Sequence, residues 1–213
     1  MKKPRALALA CALAVAIPLG GCLPGSGDPA QLYVLSPKNI FAADLPRVEW
    51  QLSVEVPTAA AGYNTARIAL QRSPLTLDYF ADAAWTDIAP AMIQTLIVES
   101  FENTGRIVGV SRESVTLRPD FVLRSELREF QAEYFQEPGR PPLVHVRLAA
   151  LLIRMPDRAI VASQSFERSE RAAGPDMKAI TLAFDAALNG VLKRLVEWAL
   201  RAAPPERPRG PRS

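Results

Sequence analysis

From Leu143 to Met155 the chain places an apolar side chain at every second position: Val144, Val146, Leu148, Ala150 and Leu152. Period two over this length is the mark of a strand with one buried face. Its other face starts polar at His145 and Arg147 and turns apolar at Leu151 and Ile153. That half is expected to be covered on both sides. Met155-Pro156-Asp157-Arg158 reads as a turn, because Pro presets the first corner and Asp tolerates the second. Ala159 to Ser169 then returns as a strand, with Ile160, Ala162 and Phe166 assigned to one face. A long hairpin of this kind needs neighbouring strands and a second layer to bury its apolar side.

The rest of the chain supplies both. Gln31 to Leu35 reads as a short strand stopped by Ser36-Pro37. Val48, Trp50, Leu52, Val54 and Val56 alternate with polar residues. Ala66, Ile68 and Leu70, then Leu75, Leu77 and Tyr79, form two short strands around Ser73-Pro74, a hairpin. Arg106 to Ser111 is another strand. Phe121, Leu123 and Leu127 share one phase, and Phe130, Ala132 and Tyr134 share the other. The switch at Arg128-Glu129 predicts a bulge.

Two segments have helical period instead. The first holds Trp85, Ile88, Ala89, Met92, Ile93, Leu96, Ile97 and Phe101, with Asp87 as N-cap and Pro90 in the first turn. Gly105 would close it in the left-handed conformation. The second holds Met177, Ile180, Phe184, Ala187, Leu188, Val191, Leu195 and Trp198, with Asp176 as N-cap. Gly190 within it implies close packing against a neighbour, since glycine costs about 1 kcal/mol relative to alanine there. The fold expected is a single α/β (α+β sandwich) domain over 31–203, a mostly antiparallel sheet with two long helices packed on one face. Residues 204–213, rich in Pro and Arg, are expected to be a disordered tail.

The start of the chain has a different character. Met1-Lys2-Lys3-Pro4-Arg5 is basic, and Ala6 to Leu19 is apolar apart from Pro18. This is the pattern of a secretory signal, too short for a membrane span of roughly 20 residues. It ends in Leu19-Gly20-Gly21-Cys22, which resembles the lipobox of bacterial lipoproteins. The resemblance implies cleavage after residue 21, a diacylglycerol on the Cys22 thiol and an N-acyl chain on its amine. It makes 1–21 the signal peptide and 22–30 the lipidated Cys and tether. Leu23, standing where inner-membrane lipoproteins tend to carry Asp, implies an outer-membrane, periplasm-facing location. Cys11 would leave with the signal, so the mature chain would have no free thiol. Removing Lys2, Lys3 and Arg5 also leaves 22 bases against 22 acids, so the formal charge of +3 gives no reason to expect nucleic-acid binding.

Catalytic patterns are sparse. The sequence has one His, no Gly-x-Gly-x-x-Gly and no phosphate-binding Gly-Lys-Ser/Thr loop. No His pair could hold zinc. A Ser-His-Asp triad would need His145, which reads as a surface-facing strand residue beside Arg147. The carboxylate pairs Asp78/Asp82 and Glu126/Glu129 read as charged strand and loop positions. No catalytic, metal or cofactor residue is therefore expected, and binding or scaffolding is.

The order of elements is similar to that of the ABC-type transport auxiliary lipoproteins, the group that includes the PqiC-like proteins. The residues that carry the resemblance follow the lipobox in order. They are Tyr33-Val-Leu-Ser-Pro37, Arg67-Ile-Ala-Leu-Gln-Arg72, Leu77-Asp-Tyr-Phe80 and Trp85-Thr-Asp-Ile88. Phe121-Val-Leu123, a hairpin and a last helix bearing Leu195 and Trp198 complete the series. The resemblance implies an auxiliary component of a Mce-type system for moving phospholipids between inner and outer membranes. Its implied partners are a periplasmic Mce-domain protein, a permease and an ATPase, with a homo-oligomer as a possible assembly. The alternative is a structural or regulatory outer-membrane lipoprotein that docks another envelope machine.

Overall fold

The computed structural model describes residues 29–112, 118–137 and 139–203. The signal peptide, Cys22 and the tail expected at 204–213 lie outside them. Among the described residues there are nine strands and two helices. They are β1 (Gln31–Tyr33), β2 (Val48–Val54), β3 (Thr58–Ala59), β4 (Arg67–Gln71), β5 (Asp78–Trp85), α1 (Ala89–Thr104), β6 (Ile107–Arg112), β7 (Phe121–Glu133), β8 (Leu143–Arg154), β9 (Ala159–Arg171) and α2 (Met177–Ala202).

β7 is the spine of one mixed sheet. Along one edge it pairs antiparallel with β8, from Phe121 opposite Arg154 to Glu133 opposite Leu143. β9 then pairs antiparallel with β8 over the whole hairpin. These two ladders make the sheet mostly antiparallel. Along its other edge β7 is met in turn by β2, β3 and β4, each parallel to it. β6 joins outside β2, while β5 and then β1 join outside β4. The parallel joins unite segments far apart in sequence, which local periodicity does not report.

The expected bulge falls between Leu127 and Glu129. It lets Phe121, Leu123 and Leu127 before it, and Phe130 and Ala132 after it, all face the same core. A second register shift, which skips Val161 in β9, corrects the expected facing there. It turns Ile160 away from the buried Phe166, so Ile160 is 61% exposed.

Both helices pack on the core side of the sheet. α2 starts as expected, with Asp176 Oδ1 accepting from the Ala179 amide at 3.0 Å. A Cβ built on Gly190 would lie 3.1 Å from Arg168 Cγ, so the glycine lets β9 approach. α1 starts at Ala89, one residue later than an Asp87 cap implies. Its N-cap is Ile88, with no side-chain cap, and Asp87 accepts only from the Ile88 amide. Pro90 sits in the first turn, where its missing N–H has no intrahelical acceptor. Gly105 closes the helix at φ 58°.

Trp85 thus ends β5 rather than opening a helix. Its ring packs edge-on to Phe184 at 5.2 Å, and Phe130 lies 5.0 Å from Phe184, edge-on as well. This aromatic trio locks β5, β7 and α2 together. Trp50–Phe121 and Phe166–Trp198 do the same for β2 with β7 and for β9 with α2.

Candidate functional site

Three features could carry function: the route by which the chain enters the domain, a polar cluster on the sheet face away from the helices, and a surface groove. β1 runs parallel to β5, with Gln31 opposite Ala83 and Tyr33 opposite Trp85. After β1 the chain crosses to the helices. The Ser36 amide donates to Asp185 Oδ1 at 2.6 Å, and its hydroxyl donates to the same carboxylate at 2.9 Å. Asn189 Nδ2 donates to the Ser36 carbonyl at 3.1 Å. The Lys38 amide donates to Ser100 Oγ on α1, and the Ala42 amide to Glu197 Oε1 on α2. Arg201 pairs with Asp44 at 3.1 Å. Residues 36–44 therefore form a strap along α2 in its own direction, hydrogen-bonded to both helices. The Tyr-Val-Leu-Ser-Pro word is the lower end of this strap, where Leu35 is buried.

The polar cluster is built by strand alternation. Phe130 and Ala132 point into the core, so Glu129, Gln131 and Glu133 point the other way. The β7–β8 register sets Gln131 opposite His145 and Glu129 opposite Arg147. His145 Nδ1 lies 3.2 Å from Glu129 Oε2 and 3.4 Å from Glu133 Oε1. Glu133 is only 6% exposed, and both of its oxygens have donors. Gln131 Nε2 donates to Oε1 at 3.0 Å and Gln136 Nε2 to Oε2 at 2.9 Å. Gln131 Oε1 accepts from the Phe130 amide and from the Tyr63 hydroxyl, each at 2.8 Å. Burial, with Glu129 and Glu133 nearby, pushes the Tyr63 phenol up to about 12.

His145 is therefore half-buried between two carboxylates, and the expectation of a plain surface histidine is corrected. The signal was present in the polar positions alternating with Phe130 and Ala132, once the hairpin register sets them beside His145. Chemically the cluster sets an imidazole beside two carboxylates, two members of an acid–base relay. Ser169 stands opposite His145 in register, but no hydroxyl among the described residues hydrogen-bonds to the imidazole. The carboxylate pairs do not meet either. Glu126 pairs with Arg128 at 2.8 Å, while Glu129 faces His145 and Arg147. Asp78 and Asp82 are exposed on β5. Among the described residues no group of three His, Cys, Asp or Glu side chains is arranged to hold a metal ion.

A groove of about 340 Å³ lies between the end of β9 and the first turns of α2. Ala179, Leu182, Ala183 and Ala186 line it with Lys178 and Arg171. Among the described residues no helix is long and apolar enough to cross a membrane.

Comparison with known proteins gives a consistent picture. The family model for the ABC-type transport auxiliary lipoprotein component matches residues 33–196. A crystal structure of a protein from Xanthomonas campestris superposes with a TM-score of 0.76 at 30% identity, covering 81% of this chain and 96% of that one. A second crystal structure, of an uncharacterized protein, superposes with a TM-score of 0.63 at 14% identity, covering 83% of this chain and all of that one, a likeness of fold alone. An uncharacterized protein of Bradyrhizobium diazoefficiens is 30% identical over 182 residues, 84% of this chain. The chain spans about half the length of that curated relative, 47% of it. The strap, the bulged β7 spine and α2 all fall within the matched span, and the chain belongs to the family of ABC-type transport auxiliary lipoprotein components.

Proposed function

We propose that this protein is a lipid-anchored, non-enzymatic docking subunit. It faces the periplasm from the outer membrane and serves a Mce-type ABC system that moves phospholipid between the two membranes. The observation that carries the reading is the auxiliary-lipoprotein match over residues 33–196, preceded in the same chain by Leu19-Gly20-Gly21-Cys22. In this reading the Cys22 diacylglycerol and N-acyl chain hold the protein to the bilayer. Three acyl chains at about 0.8 kcal/mol per buried CH2 make a lasting anchor. Energy for transport comes from the partner ATPase and permease, and this chain supplies a rigid surface for the periplasmic Mce-domain protein.

Two structural features support a docking role. The strap at 36–44 is hydrogen-bonded along both helices, so load on the anchor passes into the core rather than into a loose loop. The His145 cluster has both Glu133 oxygens held by Gln131 and Gln136 and has no hydroxyl partner on the imidazole among the described residues, which suits a structural role better than a catalytic one. Crosslinking in intact cells followed by purification of the full lipidated chain tests the reading. A Mce-domain protein in the crosslinked product is the expected result. Recovery of a different envelope machine, with no Mce-domain protein, contradicts it.

A further inference from the structure

We infer that the turn between β4 and β5 is a foot that rests in the surface of the phospholipid bilayer, with Leu75 as its inserted side chain. The inference rests on the lipid anchor at Cys22 proposed above and goes beyond it, because it assigns the domain an orientation and a contact residue.

Leu75 is 97% exposed, the most exposed of the large apolar residues among those described. It does not sit on a floppy loop. Ser73 Oγ and Thr76 Oγ1 are 2.9 Å apart, and the Thr76 amide donates to the Ser73 carbonyl at 3.3 Å. Pro74 occupies the first corner of this turn, the position its fixed φ suits. The second leucine of the hairpin is treated differently. Leu77 tucks against Gly62, where any Cβ would come within 2.5 Å of its Cδ2. The Tyr79 hydroxyl donates to the Gly62 carbonyl at 3.1 Å. The hairpin is braced from below while Leu75 is held out at its tip. An apolar side chain so presented to water gains nothing for the fold.

The occupant follows from where the anchor must be. β1 is parallel to β5, so its N-terminal end points toward the end of the sheet where β5 begins, which is the tip end. Gln31 is level with Ala83, five residues along β5 from Asp78, or about 17 Å. Seven residue steps separate Cys22 from Pro29, a reach of at most about 25 Å. With that reach the bilayer holding Cys22 can lie against the tip. The charges flanking the turn are Arg72, which lies over the Tyr134 ring at 5.8 Å, and Asp78. They balance, so the contact rests on Leu75 and should be insensitive to salt.

The test uses the full chain, processed in a lipoprotein-competent host and reconstituted into phosphatidylethanolamine–phosphatidylglycerol vesicles. L75C and I160C are each labelled with an environment-sensitive nitrobenzoxadiazole dye. Ile160 is a matched control, exposed but near the opposite end of β7, about 40 Å away. Wild type is the control for the anchor, because a lipidated Cys22 leaves no thiol to label. The expected result is an unlabelled wild type, blue-shifted emission at position 75 that brominated lipid quenches at low and high salt, and water-like emission at position 160. Water-like, unquenched emission at position 75 in vesicle-bound protein overturns the foot while leaving the anchor standing. A wild type that labels at Cys22 and stays out of the vesicle fraction overturns the anchor, and the foot with it.

Discussion

The two faces of β7 are made from alternate residues of the same strand and are stabilised by opposite means. One carries Leu127, Phe130 and Ala132 into a core sealed by the helices. The other carries Glu129, Gln131 and Glu133 into a cluster closed by Tyr63, Gln136 and His145. On the first face energy scales with apolar area and fit, so damage is graded. On the second each atom depends on a partner, so removing one group strands the others. The apolar face explains why the domain folds. The polar face explains how a sheet side without a covering helix layer is kept in register.

The largest effect should come from the apolar face. Phe130→Ala removes the ring that links Trp85 and Phe184, and denaturant unfolding should report a loss of about 3–5 kcal/mol. A loss under about 1 kcal/mol would mean that the aromatic trio does not organise the core. Next is Glu133→Leu on the polar face, which leaves the Gln131 and Gln136 amides without their acceptor. It should cost about 1–3 kcal/mol despite adding apolar surface. A stabilised variant would break the contrast between the faces. Tyr63→Phe is milder, because Gln131 Oε1 keeps the Phe130 amide. Its expected cost is about 0.5–1.5 kcal/mol by the same unfolding measurement.

A further effect is a pH dependence confined to alkali. The Tyr63 pKa is raised from 10.0 to about 12. Between those values the folded chain keeps a proton that the unfolded chain has lost, so stability falls as pH rises from 10 to 12. Below pH 10 this contribution is fully present. Unfolding curves across that window should be flatter for Tyr63→Phe than for wild type, and equal slopes would remove Tyr63 from the account.

The contrast between faces also explains what the sequence made legible. Alternation along Val144 to Leu152 gave the long hairpin, and the phase switch at Arg128-Glu129 marked the bulge, because both are local. Asp176 and Gly105 were legible for the same reason: a cap acts within one turn. β5 was harder, because Ala81, Asp82, Ala83 and Ala84 have little β-propensity. Trp85, Ile88, Ala89 and Met92 happen to fit helical spacing, so Trp85 reads as part of the helical face although it ends β5. The facing of Ile160 was lost through the skip at Val161, which reverses phase without a sequence signal. The parallel joins of β2, β3 and β4 to β7 unite segments roughly 60 to 70 residues apart, beyond the reach of any period. The polar cluster was hidden for a related reason. His145 meets Glu129 and Glu133 only after the hairpin register is known, although each residue was visible as a polar position opposite an apolar one.

The foot and the docking role both assume a chain held at a membrane by Cys22. The direct measurement is incorporation of labelled palmitate into wild type and Cys22→Ala, with each protein followed through separation of inner and outer membranes. The account predicts label in wild type alone, in the outer-membrane fraction, with the variant unlabelled and uncleaved. Equal labelling of both proteins, or an unlabelled wild type free of membrane, would contradict it.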